Sequence, residues 1–148
     1  LEPIHPNTIE VVKTYAYGAG LHVDVLSDVE VDAEGSACLV AQQPDFLGTI
    51  RDLQLFADTA HSAGALFITV ADPFALGILR TPGDAGADIV SGEGRDLAGG
   101  TNFGGPSLGL FAAREQYLRQ LPGRIVGQTQ ERADHPGSAN RESPPRTG

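Results

Sequence analysis

The clearest structural pattern in this chain spans residues 37–71, which read ACLVAQQPDFLGTIRDLQLFADTAHSAGALFITVA. Residues 37–41 and 65–71 are continuous apolar runs, which are typical of strands buried on both faces. Between them, residues 49–63 repeat apolar side chains at helical spacing, and Gly64 follows at the position where a helix normally ends. A strand, a helix and a strand within 35 residues predict a βαβ unit whose two strands are parallel.

Helix and strand patterns continue on both sides of this unit. Upstream, residues 7–19 predict a helix that begins with a capping box of Asn7 and Glu10, and residues 21–26 alternate as in a half-buried strand. Downstream, residues 87–90 predict one more buried strand and residues 110–121 a further helix. The chain is therefore predicted to be an α/β protein with a mostly parallel sheet and flanking helices.

The composition limits the size, location and partners of this protein. With 148 residues, 41% of them apolar, the chain is long enough for one ordinary domain. Nineteen acidic residues against ten basic ones give a net charge of −9, which disfavours binding to nucleic acid. The longest apolar runs are too short to span a membrane. The lone Cys38 is typical of a reducing compartment, so we predict a cytoplasmic protein without a nucleic-acid or membrane partner.

The two ends of the chain differ from those of an ordinary complete domain. The sequence contains no methionine and opens at Leu1 without a signal-peptide pattern, so we expect a fragment or a chain trimmed at its N-terminus. From Glu131 onward the apolar pattern gives way to Pro, Ser, Arg and Glu. We therefore expect residues 131–148 to be disordered.

A glycine-rich segment, residues 92–109, contains seven glycines and is predicted to be a loop. Its last five residues, GPSLG, match the G-x-S-x-G pattern of a nucleophile elbow, which needs a strand before the serine. A serine hydrolase that uses Ser107 is therefore one alternative, and a non-enzymatic interaction module with an acidic surface is another. The histidines and Cys38 have no metal-ligand spacing, so no metal site is predicted.

Eight motifs in collinear order carry a family resemblance. They are residues 5–6 (HP), 13–15 (KTY), 42–48 (QQPDFLG), 61–67 (HSAGALF), 71–73 (ADP), 86–94 (GADIVSGEG), 102–106 (NFGGP) and 118–128 (LRQLPGRIVGQ). Together they resemble the N-terminal half, or α subunit, of the glycine cleavage system P-protein, glycine dehydrogenase (decarboxylating). Residues 131–148 do not resemble that family.

The resemblance implies a fold and a reaction. Residues 1–130 would be part of the large domain of a fold-type I transferase that depends on pyridoxal phosphate (PLP). In this family glycine condenses with the cofactor and loses carbon dioxide, and the aminomethyl group passes to the lipoyl arm of the H-protein. The cofactor supplies an electron sink, and the protein holds it through a lysine Schiff base.

The distribution of lysine indicates which half of that enzyme this chain resembles. Catalytic relatives place the Schiff-base lysine after the position of Ala87 and Asp88, but residues 91–102 contain no lysine, and the one lysine of the chain is Lys13. The resemblance therefore implies a noncatalytic half that holds no cofactor and contributes no catalytic residue. PLP would lie in the catalytic partner half, the β-type subunit, and the lipoyl H-protein would be met through the complex.

Candidate partner-facing or active-site-completing residues also follow from the resemblance. Asp72 stands where active relatives place an acid against the pyridinium nitrogen of the cofactor. The other candidates lie in the glycine-rich segment: Asn102, Phe103, Gly104 and Gly105. Asp45 stands where the family usually has Asn, and this exchange removes a hydrogen-bond donor.

Overall fold

The structure of this chain is a computed structural model that describes residues 4–26, 31–98, 102–121, 123–130 and 136–141. The chain divides into two compact units, Leu1–Ala112 and Ala113–Gly148. The helices are α1 (Pro6–Ala19), α2 (Leu53–Ser62) and α3 (Arg95–Ala98), and short 3-10 turns occupy Ala75–Gly77, Asn102–Gly104 and Glu115–Gln120. The strands are β1 (Cys38–Gln43), β2 (Leu66–Ala71), β3 (Ile89–Glu93), β4 (Gly109–Ala113), β5 (Ile125–Gln130) and β6 (Pro136–Arg141).

The first unit is built on a four-stranded sheet with the order β1-β2-β3-β4. β1 and β2 are parallel, with a register that runs from Cys38 opposite Leu66 to Gln43 opposite Ala71. β2 and β3 are also parallel. Because α2 lies between β1 and β2 in the chain, the predicted βαβ unit and the mostly parallel α/β fold are confirmed.

Helix α2 packs on the face of this sheet that carries Leu39, Ala41 and Phe67. Its buried side chains are Leu53, Phe56, Ala57 and Ala60. The helix begins later than predicted, because the Asp52 side chain accepts a hydrogen bond from the backbone N–H of Gln54 and caps the N-terminus. Gly64 follows the C-terminus with φ 74°, as predicted for a helix that ends there.

β1 and β2 are buried on alternate residues, whereas the sequence predicted burial on both faces. In β2, Phe67, Thr69 and Ala71 are buried, and the residues between them are half-buried. Side chains alternate between the two faces of a strand, so the buried set lies on one face, the face that contacts α2. The continuous apolar run thus reflects one closely packed face and one partly covered face.

Three local predictions were wrong, and a fourth was wrong in part, because the segment 92–109 that was predicted to be a loop includes the end of β3, the short helix α3 and the first residue of β4. Residues 110–121 form β4 and a 3-10 turn instead of a helix, because residues 109–113 pair with β3. Residues 21–26 have no strand structure. Helix α1 begins at Pro6 and is capped by the His5 ring, whose Nδ1 accepts from the backbone N–H of Asn7, so the capping box of Asn7 and Glu10 does not form.

The second unit contains a short hairpin. β5 and β6 pair in antiparallel fashion, with Ile125 opposite Arg141 and Gln130 opposite Pro136. Residues 136–141 therefore have strand backbone in a tail that the sequence predicted to be disordered, and the rest of residues 131–148 lies outside the described residues. None of the helices in the described ranges combines the length and hydrophobicity that crossing a membrane requires.

Candidate functional site

The carboxyl ends of β1 and β2 meet at one edge of the sheet. The backbone N–H of Asp72 donates to the carbonyl of Gln43 at 3.1 Å, so both strands end at the same level. The Asp72 carboxylate is exposed, and its Oδ1 accepts from the backbone N–H of Phe74 at 2.9 Å. Asp72 is therefore at the edge where ligands and partners of open α/β sheets bind, and it also starts the turn that follows β2.

A buried carboxylate organises the turn that follows β1. Asp45 Oδ1 accepts from the backbone N–H groups of Leu47 and Thr49, at 2.9 and 2.8 Å. Its Oδ2 accepts from Nε and Nη2 of Arg51, at 3.2 and 3.1 Å. Gln43 Oε1 accepts from the backbone N–H of Arg51 at 2.9 Å, so the same turn is tied to the last residue of the strand.

The environment of Asp45 favours its charged form. Its side chain is 3% exposed and that of Arg51 is 24% exposed. Burial by itself opposes ionisation, but the hydrogen bonds from Thr49, Arg51 and Leu47 outweigh it and hold the pKa of Asp45 below its ordinary value. All four N–H groups donate to oxygen atoms of Asp45. An Asn at this position has one oxygen and one NH2 group, so its NH2 group would leave some of these donors without an acceptor.

The start of α1 contacts the same sheet edge. The backbone N–H of His5 donates to Gln42 Oε1 at 2.9 Å. The His5 ring meets the Phe46 ring edge-on, with the ring centroids 4.7 Å apart. The start of α1 is therefore held against the end of β1 and the loop that follows it.

The end of β3 is held by a second carboxylate. Glu93 Oε1 accepts from the backbone N–H groups of Leu108 and Arg95, at 2.8 and 2.9 Å. These two hydrogen bonds, with the Leu108 bond as the larger cause, keep the pKa of Glu93 below its ordinary value. The contacts close the segment between β3 and β4 at its base, and Gly94 N donates to the Leu108 carbonyl beside them.

Ser107 does not have the geometry of a nucleophile elbow. A 3-10 turn, Asn102–Gly104, precedes it where the elbow needs a strand, and β4 follows where the elbow needs a helix. Its hydroxyl accepts from Arg95 Nη2 at 3.1 Å. Asp134 and His135 are the only Asp and His that follow Ser107 in the sequence, so they are the candidate triad partners of the serine hydrolase alternative, and both lie outside the described residues.

The four candidate residues of the glycine-rich segment lie in and beside this 3-10 turn. Phe103 is fully exposed and has φ 54°, a left-handed conformation that is uncommon for a residue with a side chain. Gly104 and Gly105 also have positive φ, at 107° and 60°. Within the described residues, the hydrogen bonds of Asp72 reach Gln43 and Phe74 and none of these four.

The sequence prediction named Asp72 as a candidate but named none of the hydrogen-bonded groups at the end of β1 and in the loop that follows it. Gln43, Asp45 and Arg51 became visible only in the structure, although Pro44, Asp45 and Gly48 are turn-forming residue types that mark a loop here. A groove of about 440 Å³ also lies between α1, residues 21–26 and the start of β1, away from Asp72. The described residues hold no group of three or more His, Cys, Asp or Glu side chains that could bind a metal ion.

Comparisons with known proteins give a consistent result. The family model of the glycine cleavage system P-protein matches residues 2–139, so the prediction that the chain stops resembling this family at residue 131 was wrong for residues 131–139. The chain is 46% identical over 137 residues to the probable glycine dehydrogenase (decarboxylating) subunit 1 of Desulforamulus reducens, a match that covers 85% of this chain and 30% of the relative. It is 47% identical over 139 residues to the protein of the same name from Novosphingobium aromaticivorans, with the same coverage.

A solved structure agrees in fold. It is the crystal structure of glycine decarboxylase (P-protein) of the glycine cleavage system in inhibitor-bound form, with a TM-score of 0.82 and 38% sequence identity. The match covers 95% of this chain and 33% of that one. The chain thus spans about a third of the length of the relatives that it matches. Since the family model covers nearly the whole sequence, this chain belongs to the glycine cleavage system P-protein family.

Proposed function

We propose that this chain is a noncatalytic part of glycine dehydrogenase (decarboxylating). The complete enzyme would decarboxylate glycine on PLP and pass the aminomethyl group to the lipoyl H-protein. The observation that carries the proposal is the close match to relatives named subunit 1 in a chain with a single lysine, Lys13. A cytoplasmic location fits the lone Cys38 and the absence of a long apolar run.

The residues of this chain do not fit a cofactor held through lysine. Lys13 lies on the exposed side of α1, and its Nζ pairs with Glu10 Oε1 at 3.1 Å. Among the contacts of the described residues, those of Lys13 and Glu10 reach neither the carboxyl ends of β1 and β2 nor Asp72. We therefore propose that PLP binds to the catalytic partner half, the β-type subunit, and that this chain has a structural role in the assembled enzyme.

The partner contacts are proposed at the edge that carries Asp72 and at the turn that carries Asn102, Phe103, Gly104 and Gly105. Phe103 supports this part of the proposal, because a fully exposed aromatic side chain on a left-handed backbone has no evident benefit for the isolated chain. The net charge of −9 argues against a nucleic-acid partner.

A chimeric enzyme tests the proposal. Residues 2–139 replace the matching third of the Novosphingobium aromaticivorans subunit 1, which is then assembled with its own second subunit and assayed for glycine-dependent carbon dioxide exchange. We expect the chimera to exchange carbon dioxide and the 148-residue chain alone to show no exchange. Exchange by the isolated chain, or an inactive chimera that still assembles, would contradict the proposed role.

A further inference from the structure

Hydrogen bonds join the two ends of the segment between β3 and β4. Glu93 Oε1 accepts from the backbone N–H groups of Leu108 and Arg95, at 2.8 and 2.9 Å. The backbone N–H of Gly94 donates to the Leu108 carbonyl at 2.7 Å, and Arg95 Nη2 donates to Ser107 Oγ at 3.1 Å. We call these five residues, Glu93, Gly94, Arg95, Ser107 and Leu108, the loop base.

The loop base is closely packed, and its one carboxylate uses a single oxygen atom. Gly94 is buried, and a Cβ added there would lie 2.9 Å from Cγ of Leu110 in β4. The backbone N–H of Leu108, and after it that of Arg95, holds the pKa of Glu93 below its ordinary value, so Glu93 is charged at neutral pH. Because both N–H groups donate to Oε1, one acceptor oxygen at this position is enough to join the two ends.

The loop base lies next to the turn of residues 102–105 in the sequence. Only Pro106 separates that turn from Ser107. The ring of Pro106 fixes its φ, so the connection between the turn and the loop base has few conformations. The exposed Phe103 side chain lies on a left-handed backbone, which persists only where the surrounding structure holds it. The loop base therefore anchors the C-terminal side of this turn.

We propose that Glu93 is a positioning residue for the partner contact of residues 102–105, because it holds the loop base that fixes Phe103 in its exposed conformation. This inference rests on the proposed function, which places a partner at this turn. Glu93 acts through the turn and does not itself contact the partner. A turn that is fixed before association loses less conformational freedom on binding, so release of the loop base weakens binding.

Variants of the chimeric subunit 1 described above test this role. Glu93→Ala removes the acceptor, whereas Glu93→Gln keeps one oxygen atom and removes the charge. Phe103→Ala removes the exposed ring, and its combination with Glu93→Ala completes a double-mutant cycle. The matched control is Asp32→Ala, because Asp32 is also an exposed carboxylate and accepts from the backbone N–H of Glu34 at 2.9 Å, outside this segment.

Binding of each variant to the second subunit is measured by calorimetry, and amide hydrogen exchange reports on the loop base. We expect Glu93→Ala to bind about tenfold more weakly and its loop base to exchange faster. Glu93→Gln and Asp32→Ala should bind within about twofold of the unsubstituted chimera. In the Phe103→Ala background, Glu93→Ala should weaken binding by less than about twofold, because the ring that it positions is already absent.

The outcomes separate this inference from the proposed function. If the unsubstituted chimera does not bind the second subunit, the proposed function fails and this inference with it. If it binds and Glu93→Ala binds equally well, Glu93 has no positioning role and the proposed function stands. Equal weakening by Glu93→Ala and Glu93→Gln, or a cycle in which the effects of Glu93→Ala and Phe103→Ala add, would also overturn the inference. Should Glu93→Ala fail to fold, Glu93→Asp replaces it in the cycle, because its shorter side chain displaces the acceptor.

Discussion

Asp45 illustrates how one residue holds the edge of the sheet together. Its carboxylate satisfies two backbone N–H groups and the Arg51 guanidinium from a position that is almost completely buried. Replacing it by alanine would leave several buried donors without an acceptor. We expect Asp45→Ala to lower the free energy of unfolding by about 3 kcal/mol at neutral pH, as measured by urea denaturation.

The same residue makes stability depend on pH in one direction. Because the folded pKa of Asp45 lies below its value in the unfolded chain, its contribution is present above about pH 4 and is lost as pH falls through the folded pKa. The difference in unfolding free energy between the original chain and Asp45→Ala should therefore become smaller as the pH is lowered. The exposed Asp58, which accepts from Gln54 Nε2, provides the control, and Asp58→Ala should change stability by about 0.5 kcal/mol or less. An equal loss in both variants would contradict the assigned role of Asp45.

At the scale of elements, the packing of α2 against the segment before β3 depends on a glycine. Gly86 has φ 98°, and a Cβ added there would lie 2.7 Å from the Cβ of Ala57, which is fully buried on α2. We expect Gly86→Ala to cost about 2–4 kcal/mol in unfolding free energy, from overpacking and from the left-handed backbone.

Gly83, three residues earlier, is the matched control for this prediction. It has open space around its Cβ position and no positive φ, so Gly83→Ala should be neutral within about 0.5 kcal/mol in the same urea titration. Equal stability of the two alanine variants would show that α2 does not approach Gly86 as closely as described.

The elements that the sequence predicted correctly are those whose local pattern and tertiary context agree. β1, α2 and β2 combine apolar runs, a helical period and a terminal glycine, and each of these is also required by the packed βαβ unit. Residues 110–121 show the opposite case. Their apolar pattern is compatible with a helix, but pairing with β3 stabilises residues 109–113 as a strand, and such pairing has no local signal.

Less of the candidate site than of the fold could be predicted from the sequence. Asp72 could be located because it directly follows an apolar run, and parallel strands bring such positions to one edge. The contacts of Asp45 with Arg51 and of His5 with Phe46 depend on how loops fold back, which periodicity does not encode. The exposure of apolar residues such as Leu47 and Ile78 could not be predicted either, because hydrophobicity alone does not distinguish a buried side chain from an exposed one.

For the whole molecule, the single lysine leads to a further prediction. Incubation with PLP followed by borohydride reduction should leave no stoichiometric phosphopyridoxyl adduct on this chain, as read by mass spectrometry. The reason is that the side chain of Lys13 is exposed and paired with Glu10, so an aldehyde bound to it would be open to solvent. A stoichiometric adduct on Lys13, with the absorbance of a protected Schiff base, would require a cofactor site in this chain.

Cys38, the one thiol of the chain, lies at the first position of β1. Partial burial raises the pKa of this thiol, so a maleimide dye would attach at one position, and more slowly than to a free thiol at neutral pH. The five residue steps from Cys38 to Gln43 span roughly 16 Å along the strand, which places the dye at the end of β1 opposite to the carboxyl edge of the sheet, where Asp72 lies. A fluorophore on this native residue could therefore follow subunit assembly in real time by anisotropy, without an engineered cysteine and without covering the contact being observed.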